Sequence, residues 1–368
     1  MFSGPAHCLP ARSQCRLVAP MAVRVAILTP FAAPSVRGNA ITVDRIARGL
    51  RERGVELRVW DLSVVPEAAV EHQIGQFGPA VVHAFHALRA GPAALRLARR
   101  ANVPLLVTVT GTDVNLDLQD PDSAPVVRRV LEGAAAVSVF DESMATAIVA
   151  ALPDVAPRIV VIAQSAFFEP APPGHWPPAA ALQRAPGPIL LFPVGIRSVK
   201  RPLLPLEALD HLLPEHPGLE LVYVGPILEP AVGEALVRTL PSYPWARHLG
   251  AVPHNRMPAL LELADVVLSC SLSEGGMANS VLEALSLGRA VLASDIPGNR
   301  SLVEDGVTGL LFGSPEEMAT KADRLLKDPD FRARLGQAGR ERVSARFGRD
   351  RETDGYLAAY TRLTPPVG

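Results

Sequence analysis

The stretch from Ser269 to Phe312 constrains the fold of this chain more than any other. An apolar strand pattern, Asp265–Ser269, runs into a glycine turn at Glu274–Gly276. A helical pattern then begins at about Ser280, and a second apolar strand follows at 290–293. This order predicts a βαβ unit whose helix begins at the carboxyl ends of the strands. Such a helix end has unpaired N–H groups and a partial positive charge, which suits a phosphate.

Two carboxylates, Glu274 and Glu283, bracket the start of that helix. Beside a diphosphate they would repel the ligand, so they are better suited to accept hydrogen bonds from the hydroxyls of a sugar and a ribose. A nucleotide sugar carries its groups in that order. Two plainer interpretations stay open. Ser280 and Glu283 have the spacing of a capping box, and Glu274 fits an ordinary solvated loop acid.

The chain as a whole indicates a folded protein of two domains. Its 368 residues exceed the usual size of one hydrophobic core, and 48% of them are hydrophobic. A net charge of −1 gives no reason to expect nucleic acid or an anionic membrane as a partner. No apolar run reaches the roughly 18–20 residues of a membrane span. Three cysteines form neither a disulfide framework nor a metal-ligand cluster, so we predict a cytoplasmic protein.

Six apolar runs in the first half have the character of buried parallel strands. Alternating with helical segments, they predict a doubly wound parallel sheet of the Rossmann type, with strands at 23–28, 55–60, 80–84, 105–110, 135–140 and 158–162. We predict that residues 1–20 are an unstructured extension and that 21–166 form the first domain. The Pro- and Ala-rich segment 167–188 is interpreted as the linker.

The loop after the first of these strands leads to Gly38 and Asn39, ahead of a helix at 41–53. Glycine there lets backbone approach a ligand, although a plain tight turn is the alternative. The third strand ends at His83 and His86, where ligands bind in open α/β sheets. A packed or surface histidine is the other interpretation.

The fourth strand delivers a polar loop, Thr110–Asn115. Asp113 and Asn115 are candidates for binding hydroxyls of the acceptor or the donor. For Asp113, capping the helix that follows is the alternative interpretation.

The second half predicts another sheet, 189–345, and a final helix within 346–368 that returns toward the first domain. Strands are expected at 189–194, 219–224 and 248–252, and helices at 257–263, 315–326, 329–347 and 351–363. Arg197 and Lys200 lie just past the first of these strands. Their charges can neutralise a diphosphate leaving group; solvated surface charge is the alternative.

The organising stretch, SEGGMANSVLEALSLGRAVLASDIPGN followed by EDGVTGLLF, resembles the donor-site signature of the retaining glycosyltransferases of family 4. Further segments, RGNAITVDRI, GTDVN, FDESM and GIRSVKRPL, extend the resemblance over roughly residues 21–345. Within the family the chain most resembles the glycosyltransferase 1 domain-containing protein 1 group. Around TGTD it is also similar to bacterial selenosugar synthases.

The resemblance implies the GT-B architecture, in which two Rossmann-like domains face a cleft. It implies a retaining transfer of a sugar from a nucleotide-diphosphate sugar, with a UDP-sugar favoured, to a small-molecule or glycan acceptor, and neither a metal nor another cofactor. Arg197, Lys200 and Glu274 would be the catalytic residues. The family typically has seven residues between its two glutamates, and many members have a histidine at the position of Thr110; here eight residues separate Glu274 from Glu283.

In this interpretation Glu283 binds the ribose and the backbone at Val252 lies beside the base. The remaining donor-binding residues would be Gly38, Asn39, Gly275, Gly276, Met277, Ala278 and Asn279. The acceptor or sugar side would comprise His83, Thr110, Gly111, Thr112, Asp113 and Asn115.

Three other functions are compatible with the same motifs. A selenosugar synthase would use selenophosphate as the acceptor, and threonine in place of histidine suits a nucleophile that needs little deprotonation. A nucleotide-sugar epimerase would use water or the sugar itself. A non-catalytic sensor of sugar nucleotides would bind without turnover, although it would not need Arg197, Lys200, Glu274 and Glu283 together.

Overall fold

Residues 23–170 and 187–364 are described by a computed structural model of the chain. The predicted extension 1–20 and most of the predicted linker lie outside the described residues. The described chain forms two six-stranded sheets, and every pair of neighbouring strands runs parallel. The expected α/β fold with two Rossmann-like sheets is confirmed.

The first sheet has the strand order β2-β1-β3-β4-β5-β6. Its strands are β1 Arg24–Thr29, β2 Glu56–Asp61, β3 Val81–Phe85, β4 Leu105–Thr108, β5 Ala136–Val139 and β6 Ile159–Val161. Its helices are α1 Gly38–Glu52, α2 Glu67–Phe77, α3 Gly91–Ala101, α4 Thr112–Asn115, α5 Ala124–Gly133 and α6 Glu142–Ala151. The near-continuous burial of β1, β3, β4 and β5 is what a parallel sheet covered on both faces requires.

The second sheet has the order β12-β11-β10-β7-β8-β9. Its strands are β7 Ile189–Pro193, β8 Glu220–Val224, β9 Ala246–His248, β10 Val266–Ser269, β11 Ala290–Ser294 and β12 Leu310–Phe312. The helices that follow in the chain are α7 Leu204–Leu209, α8 Pro230–Thr239, α9 Met257–Leu263, α10 Asn279–Ser286, α11 Pro297–Arg300, α12 Pro315–Lys327, α13 Pro329–Arg346 and α14 Arg349–Leu363.

Two details of the second sheet differ from the sequence-based expectation. The strand expected at 248–252 is wrong, because β9 ends at His248 and Gly250 takes a left-handed φ of 76° that no extended strand allows. The short strand β12 was not predicted. It pairs with β11 from Leu292↔Leu310 to Ser294↔Phe312, and three residues are too few to carry a recognisable period.

The last helix, α14, packs against α1 of the first half. Arg45 of α1 and Glu352 of α14 form a buried two-pronged ion pair, with both N···O distances 2.8 Å. Ser165 donates a third hydrogen bond of 2.6 Å to the same carboxylate. Tyr356 and Tyr360 of α14 are fully buried. The final helix therefore returns to the first domain, as predicted, and specific buried contacts hold it there.

Among residues 23–170 and 187–364, no helix is both long and apolar enough to cross a membrane.

Candidate active site

A cleft of about 310 Å³ lies between the carboxyl ends of the two sheets. Its first-half wall comes mainly from the loops after β1, β3 and β4, which are adjacent because those strands are neighbours in the sheet, and Phe140 and Gln164 follow β5 and β6. Its second-half wall comes from the loops after β7, β8, β9 and β10. Most of the predicted site residues line it: Gly38, Asn39, Thr110, Gly111, Thr112, Asn115, Arg197, Lys200, Val252, Glu274, Gly275, Met277, Ala278, Asn279 and Glu283.

The second-half wall pairs Glu274 with Lys200. The Lys200 ammonium forms an ion pair with Glu274 Oε1, and the Ser271 hydroxyl donates to the same oxygen at 2.5 Å. Only 10% of the Glu274 side chain is exposed, so Glu274 is not a solvated loop acid. Burial lowers the pKa of Lys200, and Arg197 lowers it further, while Glu274 opposes both. Arg197 lies in the same wall, and its buried Nε has no hydrogen-bond partner in the described part of the chain.

The other glutamate, Glu283, is held by His254. His254 Nε2 lies 2.8 Å from Glu283 Oε1, and the imidazole stacks on Phe168 with ring centroids 5.2 Å apart. Helix α10 begins at Asn279 after Ala278, whose side chain makes no cap. Glu283 is therefore not the capping-box partner of Ser280. The Glu283 carboxylate is therefore largely buried at the edge of the cleft and is held by the His254 imidazole.

The two walls touch at several points around the glycine turn. A Cβ on Gly275 would lie 1.9 Å from the Thr110 carbonyl oxygen, and one on Gly111 would lie 1.7 Å from Gly275 Cα. Asn115 Nδ2 donates to the Glu274 carbonyl at 2.6 Å. Asn279 Nδ2 donates to Thr42 Oγ1 at 3.1 Å and to the Gly38 carbonyl at 3.3 Å. The two walls are thus in direct contact and leave no room for side chains at Gly111 and Gly275.

Comparison with known proteins identifies the family. The model described as "Glycosyl transferases group 1" matches residues 180–342, and a "Glycosyl transferase 4-like domain" matches residues 11–164. A D-inositol 3-phosphate glycosyltransferase of Thermobispora bispora is 31% identical over 300 residues, which cover 73% of this chain and 69% of that protein. The chain belongs to the group 1 glycosyltransferases.

Further relatives agree with this assignment. The glycosyltransferase is 26% identical to the glycosyltransferase 1 domain-containing protein 1 of Xenopus tropicalis, over 89% of this chain and 94% of the relative. Anabaena HepE, solved in complex with UDP-glucose, has the same fold, with a TM-score of 0.76, 17% identity, and coverage of 92% of this chain and 99% of HepE. The expected GT-B architecture is confirmed.

Two residues predicted on the acceptor side of the glycosyltransferase do not reach the cleft. His83 is fully buried between β4 and α14, with Nδ1 2.7 Å from the Tyr360 hydroxyl and Nε2 2.7 Å from Thr108 Oγ1. Burial lowers the pKa of His83 to about 3, so it is neutral at ordinary pH. The packed-histidine interpretation is correct, and the functional prediction for His83 is wrong in this structure.

Asp113 is also fully buried. It accepts hydrogen bonds from the backbone N–H of Thr110, Gly111 and Ala87, at distances from 2.7 to 3.1 Å. Because Ala87 follows β3, this carboxylate ties the β3 loop to the β4 loop. Asp113 therefore holds the two loops together and does not line the cleft. Gly276, predicted on the donor side, backs onto Met144 and Phe140 and does not line the cleft.

Three titratable residues that line the cleft of the glycosyltransferase had no predicted role: His254, Arg37 and Arg89. Arg89 follows a strand end as Arg197 does, so the same reasoning applied to Arg197 could have found it. The signal for His254 was weaker, because its partner Glu283 is 29 residues away.

Within residues 23–170 and 187–364, no group of three or more His, Cys, Asp or Glu side chains is arranged to hold a metal ion.

Proposed function

We propose that this glycosyltransferase moves a sugar from a UDP-sugar to an acceptor hydroxyl with retention of anomeric configuration and without a metal. The observation that carries the proposal is the second-half wall, where Arg197, Lys200, Glu274 and Glu283 converge on one cleft. HepE, which shares the fold, was solved with UDP-glucose, and this favours a uridine nucleotide.

The roles follow from charge. As the bond from the anomeric carbon to the diphosphate breaks, negative charge grows on the leaving oxygen, and the Arg197 guanidinium and Lys200 ammonium stabilise it. These two cations are the reason for proposing a reaction without a metal. Lys200 is paired with Glu274 before the donor arrives. The incoming diphosphate forms its own ion pair with the Lys200 ammonium. Glu274 is then free to accept a hydrogen bond from a hydroxyl of the sugar.

Glu283 is proposed to bind the ribose of the donor. His254 occupies one of its oxygens, which leaves Oε2 for the ribose hydroxyls. The backbone at Val252 lies in the same part of the cleft and is proposed to face the uracil. The cytoplasmic location predicted from the few cysteines belongs to the same proposal.

The test uses the full-length protein with UDP-, GDP-, ADP- and dTDP-sugars. We expect only UDP-sugars to release nucleoside diphosphate, and EDTA to leave the rate unchanged. The anomeric proton of the product, read by its NMR coupling constant, should report the configuration of the donor. Selective turnover of another nucleotide, a rate abolished by EDTA, or an inverted product would each contradict the corresponding part of the proposal.

A further inference from the structure

The two walls of the cleft differ in how their charges are balanced. In the second-half wall both carboxylates have a partner, since Glu274 pairs with Lys200 and Glu283 with His254. In the first-half wall the charged lining residues are Arg37 and Arg89, and no carboxylate of the described chain lines that wall. The first-half wall therefore has an excess of positive charge in a chain whose net charge is −1.

Neither arginine is in an ion pair with a described carboxylate. The Arg37 guanidinium lies 4.1 Å from the centroid of the Phe31 ring, and Arg89 is exposed at the cleft. By contrast, Arg96 and Arg100 on nearby α3 pair with Glu67 and Glu71. Among the neighbouring acids, Asp113 is saturated by backbone N–H groups, and the partly exposed Asp117 interacts electrostatically with both Arg89 and His86 without forming an ion pair with Arg89.

The loop that carries Arg89 is held firmly. His86 Nδ1 accepts the Arg89 backbone N–H at 3.3 Å, so the ring proton of neutral His86 is on Nε2, which donates to Thr112 Oγ1 at 3.0 Å. Burial lowers the pKa of His86, in agreement with a neutral ring. Asp113 fixes the same loop through Ala87. Arg37 ends the loop after β1, which neighbours β3 in the sheet, so the two arginines come from neighbouring loops.

Resting on the function proposed above, we infer that the acceptor carries a phosphate or phosphate-like anion, bound by Arg37 and Arg89. Two guanidinium groups match the charge and the oxygen geometry of a dianion. The acceptor oxygen bonds to the anomeric carbon while the bond from that carbon to the diphosphate breaks. The acceptor proton leaves with the released diphosphate. A phosphomonoester would present a separate hydroxyl, whereas an inorganic phosphate analogue would itself be the nucleophile.

The first measurement is calorimetric titration of full-length protein saturated with UDP, using inorganic phosphate, glycerol 3-phosphate and glycerol as probes. We expect both phosphates to bind and glycerol not to bind. Arg89→Gln should weaken phosphate binding by roughly 10- to 100-fold, and Arg89→Lys by less. Arg51→Gln is the matched control. Arg51 carries the same charge in the last turn of α1, about 20 Å from Arg37 at the other end of that helix.

The outcomes separate the two proposals. Failure of UDP to bind contradicts the proposed donor site. UDP binding without phosphate binding, or phosphate binding unchanged in Arg89→Gln, overturns only the anionic acceptor. If Arg37→Gln weakens UDP binding and leaves phosphate binding unchanged, Arg37 serves the donor and the inference is wrong for that residue.

A second assay distinguishes the two sources of the anion. UDP-glucose is incubated with glucose 6-phosphate or glycerol 3-phosphate, each against its unphosphorylated partner, and separately with thiophosphate. UDP release with the phosphomonoesters supports a hydroxyl nucleophile beside the anion. Release with thiophosphate alone, giving a sulfur-linked sugar, supports direct attack by the anion, as in a selenosugar synthase. Equal rates with glucose and glucose 6-phosphate would contradict the inference.

Discussion

The two walls of the cleft were built by the sequence in different ways. The second-half wall draws Glu274, Gly275 and Glu283 from one βαβ unit and Arg197 with Lys200 from the adjacent β7 loop. The first-half wall draws mainly on three separate loops, and two polar side chains of this half, His83 and Asp113, turn inward and hold the structure. One wall therefore concentrates groups suited to a diphosphate sugar, and the other uses buried polar groups to hold the loop that carries Arg89, one of its two arginines.

Removing Lys200 should produce the largest effect, because it takes a cation from the growing charge on the leaving group and leaves Glu274 buried without its ion-pair partner. We expect Lys200→Ala to lower kcat by about 10²–10³-fold. Lys327→Ala, which removes an exposed ion-paired lysine, is the control and should be silent. A folded Lys200→Ala protein with full activity would remove Lys200 from the mechanism.

The pH dependence of the same residue sharpens this test. Burial and the nearby Arg197 lower the pKa of Lys200 below the ordinary 10.5, so its charge is lost earlier as the pH rises. The donor kcat/KM should therefore fall on an alkaline limb below pH 10.5. Lys200→Arg should lack that limb, since arginine stays charged. Superimposable alkaline profiles for the two proteins would argue that another group titrates.

Contact between the walls predicts the next effect. Gly275→Ala places a methyl group against the Thr110 carbonyl, so the walls cannot approach as closely as they do here. A displacement of about 1 Å at a reacting centre costs on the order of 10²-fold in rate, and we expect that loss in kcat. Gly75→Ala is a matched control, because a Cβ at Gly75 meets nothing within 4 Å. Wild-type turnover by Gly275→Ala would show that this closed contact is not used.

The buried histidine gives a prediction about stability. Folded His83 has a pKa of about 3, against 6.5 for the unfolded chain, so below pH 6.5 the unfolded state binds a proton that the folded state does not. The free energy of unfolding should fall as the pH is lowered, by about 2 kcal/mol between pH 6.5 and pH 5 from this residue. Denaturant titrations of His83→Gln should show a flatter dependence. His72→Gln, at an exposed position, should follow the wild type; parallel curves for all three would contradict the assignment.

His254 should have the smallest effect. It orients Glu283 through one hydrogen bond, so His254→Ala should raise the KM for the donor by about 5- to 10-fold and change kcat little. His254→Gln, which can still donate to Glu283, should recover part of the loss. His211→Gln serves as the control at a position outside the cleft. A fall in kcat without a change in KM would show that His254 acts on the chemistry and not on ribose binding.

The difference between the walls also explains which features of the site could be predicted from the sequence. The βαβ unit around Glu274 and Glu283 is contiguous, so its elements could be predicted within a few residues. Its side-chain pairings could not, because His254 and Lys200 come from other loops. His83 was misjudged because its partner Tyr360 is 277 residues away, on a helix that covers β3 and β4. Burial of a strand-end histidine depends on such tertiary packing, and periodicity within the strand does not report it.

The most direct test of the account is calorimetric titration of UDP-glucose into wild-type, Arg197→Ala and Glu283→Ala proteins that are shown to be folded by circular dichroism. We predict binding to the wild type, and a loss of roughly 10-fold or more in affinity in each variant, since each removes a charged contact to the donor. Equal affinity in all three proteins would contradict the assignment of the second-half wall as the donor site.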